Sequence, residues 1–173
     1  TEIIRLEVDY WQAEGTEIKE AVLHANGSYV LFVDQPVEYL ADMLERGFKR
    51  AFATGADLTV ANGRFQFGNS DRLEPNQNYI RTLPEVKGEN LFYGCDAPDA
   101  VLCFTVPYLC NRLYKKSYLM ELPAACFGKN RMTFCYGSLY YASCIAYMNE
   151  ILLHSKEQVT NMVDLVQRMI GGL

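Results

Sequence analysis

Two Asn-Gly pairs constrain this chain more than any other feature. They are Asn26-Gly27 in VLHANGSYVLF and Asn62-Gly63 in LTVANGRFQF, each preceded by alanine and set between apolar runs. A type I′ turn needs positive φ at both central residues, and Asn-Gly meets that demand well, so each pair signals a hairpin. At the first site a two-residue turn sets Lys19 opposite Asp34 and Leu23 opposite Val30. At the second it pairs Val60 with Phe65 and Leu58 with Phe67 on one face, and Thr59 with Gln66 on the other. A one-residue slip would break that apolar face. Both triplets are expected to be corners. Their flanks are dissimilar, so they do not mark an internal repeat.

The segments around them carry further periodicity. IIRLEVDY alternates Ile4, Leu6, Val8 and Tyr10 with Ile3, Arg5, Glu7 and Asp9, the pattern of a half-buried strand. Between the corners lies a helix, capped by Asp34 or Gln35, with Pro36 in its first turn and Thr54-Gly55 at its end. Its apolar stripe is Val37, Leu40, Ala41, Leu44, Gly47, Phe48, Ala51 and Phe52, and its other face pairs Asp42 with Arg46 and Glu45 with Lys49. Residues 68–90 are polar and hold Pro75, Pro84 and four asparagines, so they read as a solvated connector in which Arg72 and Arg81 can meet an anion.

AVLCFTV reads as a buried strand ended by Pro107, while YLCNRLYKKSYL is open between helix and strand. LPAACF and RMTFCYG form an expected hairpin across Gly128-Lys129-Asn130. Ser138 caps a helix of Leu139, Ala142, Ile145, Met148, Ile151 and Leu152. Ser155 with Gln158 makes a capping box for a last helix striped by Val159, Met162, Val163, Val166, Met169 and Ile170, which Gly171-Gly172 stops. The expected fold class is α+β: an antiparallel sheet of two or more hairpins, one inserted helix and two C-terminal helices, in one domain spanning residues 1–173.

At 173 residues the chain is long enough for one domain with a real core. It has no run of about 18 apolar residues, so a membrane-spanning helix is excluded. The charged, alternating N-terminus is not a signal peptide. Six cysteines occur without a CxxC, mostly inside apolar runs, and the two histidines, His24 and His154, are remote from them, so no zinc signature exists. These features point to reduced thiols in a cytoplasmic protein with no metal and no cofactor. Net charge is −5, which disfavours nucleic acid. The charge is uneven: residues 1–45 hold ten acids against Arg5 and Lys19, whereas 108–131 hold Arg112, Lys115, Lys116, Lys129 and Arg131 against Glu121.

There is no phosphate-binding glycine loop, HExxH or GxSxG. The best catalytic candidate is Cys95 in YGCDAPDA, although Asp96 and Asp99 disfavour its thiolate. Cys126 and Cys135 lie nearer the basic Lys129 and Arg131. The order LPEVKGENLFY, VLCFTVPYLC, LPAACFGKNRMTFCYG and SLYYASC resembles the B proteins of PRTRC systems of mobile elements, which are grouped with bacterial relatives of ubiquitin-conjugating enzymes. That resemblance covers residues 83–144 and implies a cysteine-dependent conjugating activity. The family's cysteine after a glycine turn has no counterpart here.

Two surfaces remain. Glu14, Glu17 and Glu20 lie in the acidic first quarter and suit a protein partner with a basic surface. On a strand, Tyr108, Cys110, Arg112, Tyr114, Lys116 and Tyr118 share one face, a mixture favoured at interface centres. The expected function is a non-enzymatic protein–protein interaction module, an inhibitor or accessory protein of the kind phages and mobile elements carry, with homo-oligomerisation open. The alternatives are a cysteine-dependent transferase or hydrolase, and a small-ligand binding domain.

Overall fold

The computed structural model describes residues 15–33, 36–67, 73–75, 91–92, 108–128 and 131–159. Ten residues, Gly15–His24, form helix α1, not the first arm of a hairpin. Ile18 and Val22, four apart, are both buried, a spacing that a helix satisfies and an alternating strand does not. The chain leaves α1 through Asn26-Gly27 and enters strand β1, Tyr29–Leu31. Gly27 is not in the left-handed region that a type I′ turn requires. The first triplet therefore joins a helix to a strand, and the expected pairing of Lys19 with Asp34 and Leu23 with Val30 does not form.

Strand β2, Val37–Tyr39, occupies what was expected to be the first turn of the inserted helix. Helix α2 then runs Met43–Thr54 and stops at Gly55, whose φ of 66° is left-handed. Its exposed side carries Asp42–Arg46 at 3.6 Å and Glu45–Lys49 at 2.5 Å. Arg46 also reaches Glu150 at 2.7 Å. The buried row of α2 is Met43, Gly47 and Ala51. A Cβ on Gly47 would stand 3.6 Å from both Leu113 and Met148, so the small residues let the helix lie close on the sheet.

Strand β3, Leu58–Phe67, passes straight through Asn62-Gly63, so the second expected corner is also absent. Its register against its neighbour shifts at Ala61/Asn62 and again at Asn62/Gly63. The Gly63 N–H donates to the Asn62 side-chain oxygen at 3.0 Å. Asn-Gly here serves an irregularity in a buried ladder, where a side-chain acceptor satisfies a nearby amide. Strands β4, Leu73–Pro75, and β5, Leu91–Phe92, follow, the first inside the expected connector.

Strand β6, Arg112–Lys115, leads directly into helix α3, Lys116–Glu121. A 3₁₀ turn at Ala124–Phe127 and helix α4, Arg131–Tyr140, replace the expected hairpin. Gly137 presses α4 onto that turn, since a Cβ there would lie 2.9 Å from Cys126 Sγ. Ser138 is not a cap but an internal residue of α4, its hydroxyl donating to the Cys135 carbonyl at 3.1 Å. Strand β7, Ile145–Val159, stands where the first C-terminal helix was expected. The N-terminal strand, the AVLCFTV strand and most of the last expected helix lie outside the described residues.

The class is mixed α+β with a mostly antiparallel sheet. The sheet order is β1-β6-β3-β7-β2, with β4 added to β3 and β5 to β7. The central β3–β7 pair is parallel, which corrects the expectation of an all-antiparallel sheet. One face packs on α1, α3 and α4 through Leu58, Val60, Tyr114, Phe134, Leu139 and Tyr147. The other packs on α2 through Met43, Ala61, Met148 and Leu152. With both faces covered, β3 and β7 lose the alternation that marks a half-exposed strand. Among the described residues no helix is long and apolar enough to cross a membrane.

Candidate functional site

The sheet's directions define an edge. Strand β6 is antiparallel to both β1 and β3, and β3 is parallel to β7, so β1, β3 and β7 all run the same way. Leu31, Leu113, Thr59 and Ala146 form one row across them. Beyond that row β1 emerges through Phe32 and Val33, while the chain enters β6 from Tyr108–Asn111. In open sheets covered by helices, ligands settle outside the carboxyl ends of strands, because the connecting loops converge there.

Hydrogen bonds stitch the residues at this edge into place. The Tyr39 hydroxyl donates to the Cys110 carbonyl at 2.8 Å, tying β2 to the approach to β6. The Ala61 N–H donates to the Asn111 carbonyl at 2.7 Å, and Asn111 Nδ2 donates to the Ala61 carbonyl at 3.3 Å. Arg112, fully buried, donates from Nη1 to the Cys135 carbonyl at 2.7 Å and so binds β6 to α4. The half-buried Arg131, at the start of α4, carries its guanidinium 6.0 Å from the centre of the Tyr108 ring. Two arginines, an aromatic ring and a carboxamide thus gather beyond the end of β1, where the chain enters β6.

Behind the edge lies a buried hydroxyl network. Burial pushes the Tyr114 hydroxyl up to about 12, against the opposing pull of Arg112. Tyr118 is raised further by burial, and its hydroxyl donates to the Ser138 carbonyl. Both stay protonated at neutral pH, and Tyr118 acts as a donor, not a base. Burial also raises the thiols of Cys126 and Cys144, with Asp57 adding to the effect at Cys144, which works against thiolate chemistry there. Asp57 is instead a brace: its carboxylate accepts from the Ser143 and Cys144 N–H groups at 2.8 and 3.2 Å and fixes the start of β7.

The expected Tyr/Lys face does not reach solvent. Arg112, Tyr114 and Tyr118 are all buried, because the strand ends at Lys115 and both faces of β6 are covered. Lys116 is half-buried, and its ammonium donates to the Ala25 carbonyl. On α1, Glu20 is exposed and Glu17 half-buried; Glu14 and Cys95 lie outside the described residues. Sequence reasoning counted Arg131 only as charge and missed its meeting with Tyr108. The available signal was an arginine inside the run YLCNRLY, where a charge must be held by buried acceptors. Among the described residues no cluster of His, Cys, Asp or Glu could hold a metal ion.

No family model matches the sequence, and no curated protein matches it. The fold, however, is similar to the crystal structure of S. aureus TarS 1–349, with a TM-score of 0.53 and 15 % identity over 96 % of this chain and 45 % of that one. It is also similar to TarS 1–349 in complex with UDP, with a TM-score of 0.51 and 14 % identity over 95 % and 45 % of the two chains. The chain therefore spans less than half the length of the TarS chain it matches. This likeness overturns the expectation of a non-enzymatic interaction module: nearly the whole chain follows the fold of a protein solved with a bound nucleotide.

Proposed function

We propose that this chain is the nucleotide-binding part of a group-transfer enzyme whose donor is activated by a nucleoside diphosphate of the UDP class, bound beyond the carboxyl end of β1. The observation that carries the reading is the fold shared with TarS, one structure of which holds UDP. UDP is what remains when a UDP-linked group moves to an acceptor hydroxyl: the bond from the group to the β-phosphate oxygen breaks, the acceptor oxygen forms the new bond, and the acceptor proton is released. The diphosphate leaves with its negative charge, so a cation at the edge favours departure. Arg131, half-buried at the start of α4, is placed to supply it, and Arg112 holds α4 in position from beneath. Phe32, half-buried just past β1, adds an aromatic side chain at the same edge, suited to a nucleobase.

The reading is tested by calorimetric titration of the protein with UDP, UMP and uridine in magnesium-containing buffer, since magnesium accompanies diphosphates. UDP is expected to saturate a single site and to bind at least about 10-fold more tightly than UMP, because a diphosphate gains more from charge-assisted hydrogen bonds. Arg131→Ala should weaken UDP by about 10-fold and leave uridine unchanged. No saturable UDP binding at millimolar concentration would remove the proposal.

A further inference from the structure

The segment that leads into β6 is held by its backbone carbonyls. Leu109 accepts from the Arg112 N–H at 3.1 Å and Asn111 from the Ala61 N–H at 2.7 Å, both main-chain donors. Cys110, between them, accepts from a side chain, the Tyr39 hydroxyl at 2.8 Å. Tyr39 belongs to β2, at the far end of the strand order from β1. It pairs with Leu153 of β7, which pairs with Gly63 of β3, so β3 puts no side chain into that row. The half-buried Tyr39 packs against the cluster that holds Tyr108, Cys110 and Leu153. Cys110 is fully buried, so its carbonyl cannot turn to water if the hydroxyl is removed. Two positions earlier, the Tyr108 ring is 3 % exposed and has the Arg131 guanidinium 6.0 Å from its centre. A ring so covered does not meet a ligand. It provides a seat for the cation.

We propose that Tyr39 is a positioning residue for the diphosphate. Its hydroxyl fixes the Cys110 carbonyl, the fixed backbone sets the Tyr108 ring, and that ring seats the Arg131 guanidinium. The inference rests on the nucleotide reading and gives a strand remote from β1 a part in it. A free arginine side chain has many rotamers, and ordering it before the anion arrives removes that cost from binding. The Tyr39 hydroxyl therefore contributes to affinity for the diphosphate and not for the uridine portion.

A double-mutant cycle read by calorimetric titration in magnesium-containing buffer tests the proposal. Tyr39→Phe keeps the ring and removes only the hydroxyl. It should keep the wild-type far-ultraviolet dichroism spectrum, weaken UDP about 5-fold and leave uridine unchanged. In an Arg131→Ala background the same substitution should change UDP affinity by less than about 2-fold, because the group it positions is gone. Tyr108→Leu removes the seat itself and should show the same loss with the same dependence on Arg131; it carries the test should Tyr39→Phe fail to fold. A Tyr39→Phe loss that persists undiminished without Arg131, or that is equal for UDP and uridine, would mark a merely structural role and overturn the proposal. Unchanged UDP affinity in Tyr39→Phe would overturn it while the nucleotide reading stands. Wild-type protein without saturable UDP binding would remove both.

Discussion

The tripeptide Ala-Asn-Gly occurs at 25–27, where it carries the chain from α1 to β1, and at 61–63, where it lies within β3. At the first position Ala25 is half-buried and Asn26 and Gly27 are exposed; at the second all three are buried and paired with β7. Neither is the hairpin corner that the dipeptide favours. What differs is the cover. The first triplet follows a helix whose buried residues, Ile18 and Val22, lie on α4 and its neighbours, so solvent sets its conformation. The second is buried within the sheet and paired with β7, so long-range pairing overrides local turn preference. The same three residues are a connector in one place and a bulged ladder in the other.

The sharpest way to break this contrast is one substitution made twice. Ala61→Asp buries a carboxylate in the central strand and should cost at least about 4 kcal/mol, enough to unfold much of the protein. Ala25→Asp should cost less than about 1 kcal/mol. Denaturant titration of both variants measures the difference, and equal losses would show that the two sites are not so differently enclosed.

Alkaline pH offers a smaller and graded test. Leu58, at the start of the strand that holds the second triplet, pairs with Tyr114, whose hydroxyl is pushed from 10.0 to about 12 by burial. A raised folded value means the stabilisation is complete below about pH 10 and disappears as pH rises toward 12, a loss on the order of 2–3 kcal/mol. Tyr114→Phe should flatten that slope in denaturation midpoints followed from pH 8 to 12. Amides of β3 should lose protection in this window before any change specific to residues 25–27.

The smallest effect belongs to Gly27→Ala. A Cβ there would approach the Tyr29 carbonyl to 3.2 Å, while the backbone is already in a region open to other residues. The expected change is under about 1 kcal/mol, of either sign, because alanine also restricts the unfolded chain. A larger loss would revive a turn that demands glycine.

Some of the fold was legible because it depends on local chemistry. The ion pairs of α2 and its glycine stop follow from i,i+4 spacing and the absence of a Cβ at Gly55. Its buried face did not follow: Leu44, Phe48 and Phe52 look like core in sequence, yet the small Gly47 and Ala51 face the sheet. Strand β7 was hidden by its own burial, since Ile145, Ala146, Tyr147 and Met148 are all covered and their run fits a helical stripe equally well. The candidate edge was harder still. Arg131 and Tyr108 are 23 positions apart and meet only because β6 and α4 share the Arg112–Cys135 contact. No spacing rule joins them.

The location of nucleotide binding is the central claim, and amide hydrogen exchange with and without saturating UDP tests it most directly. The account predicts slowed exchange confined to residues 31–33, 108–112 and 131–135, with α1 and residues 25–27 unchanged. Protection centred elsewhere, or none at saturation, would contradict it.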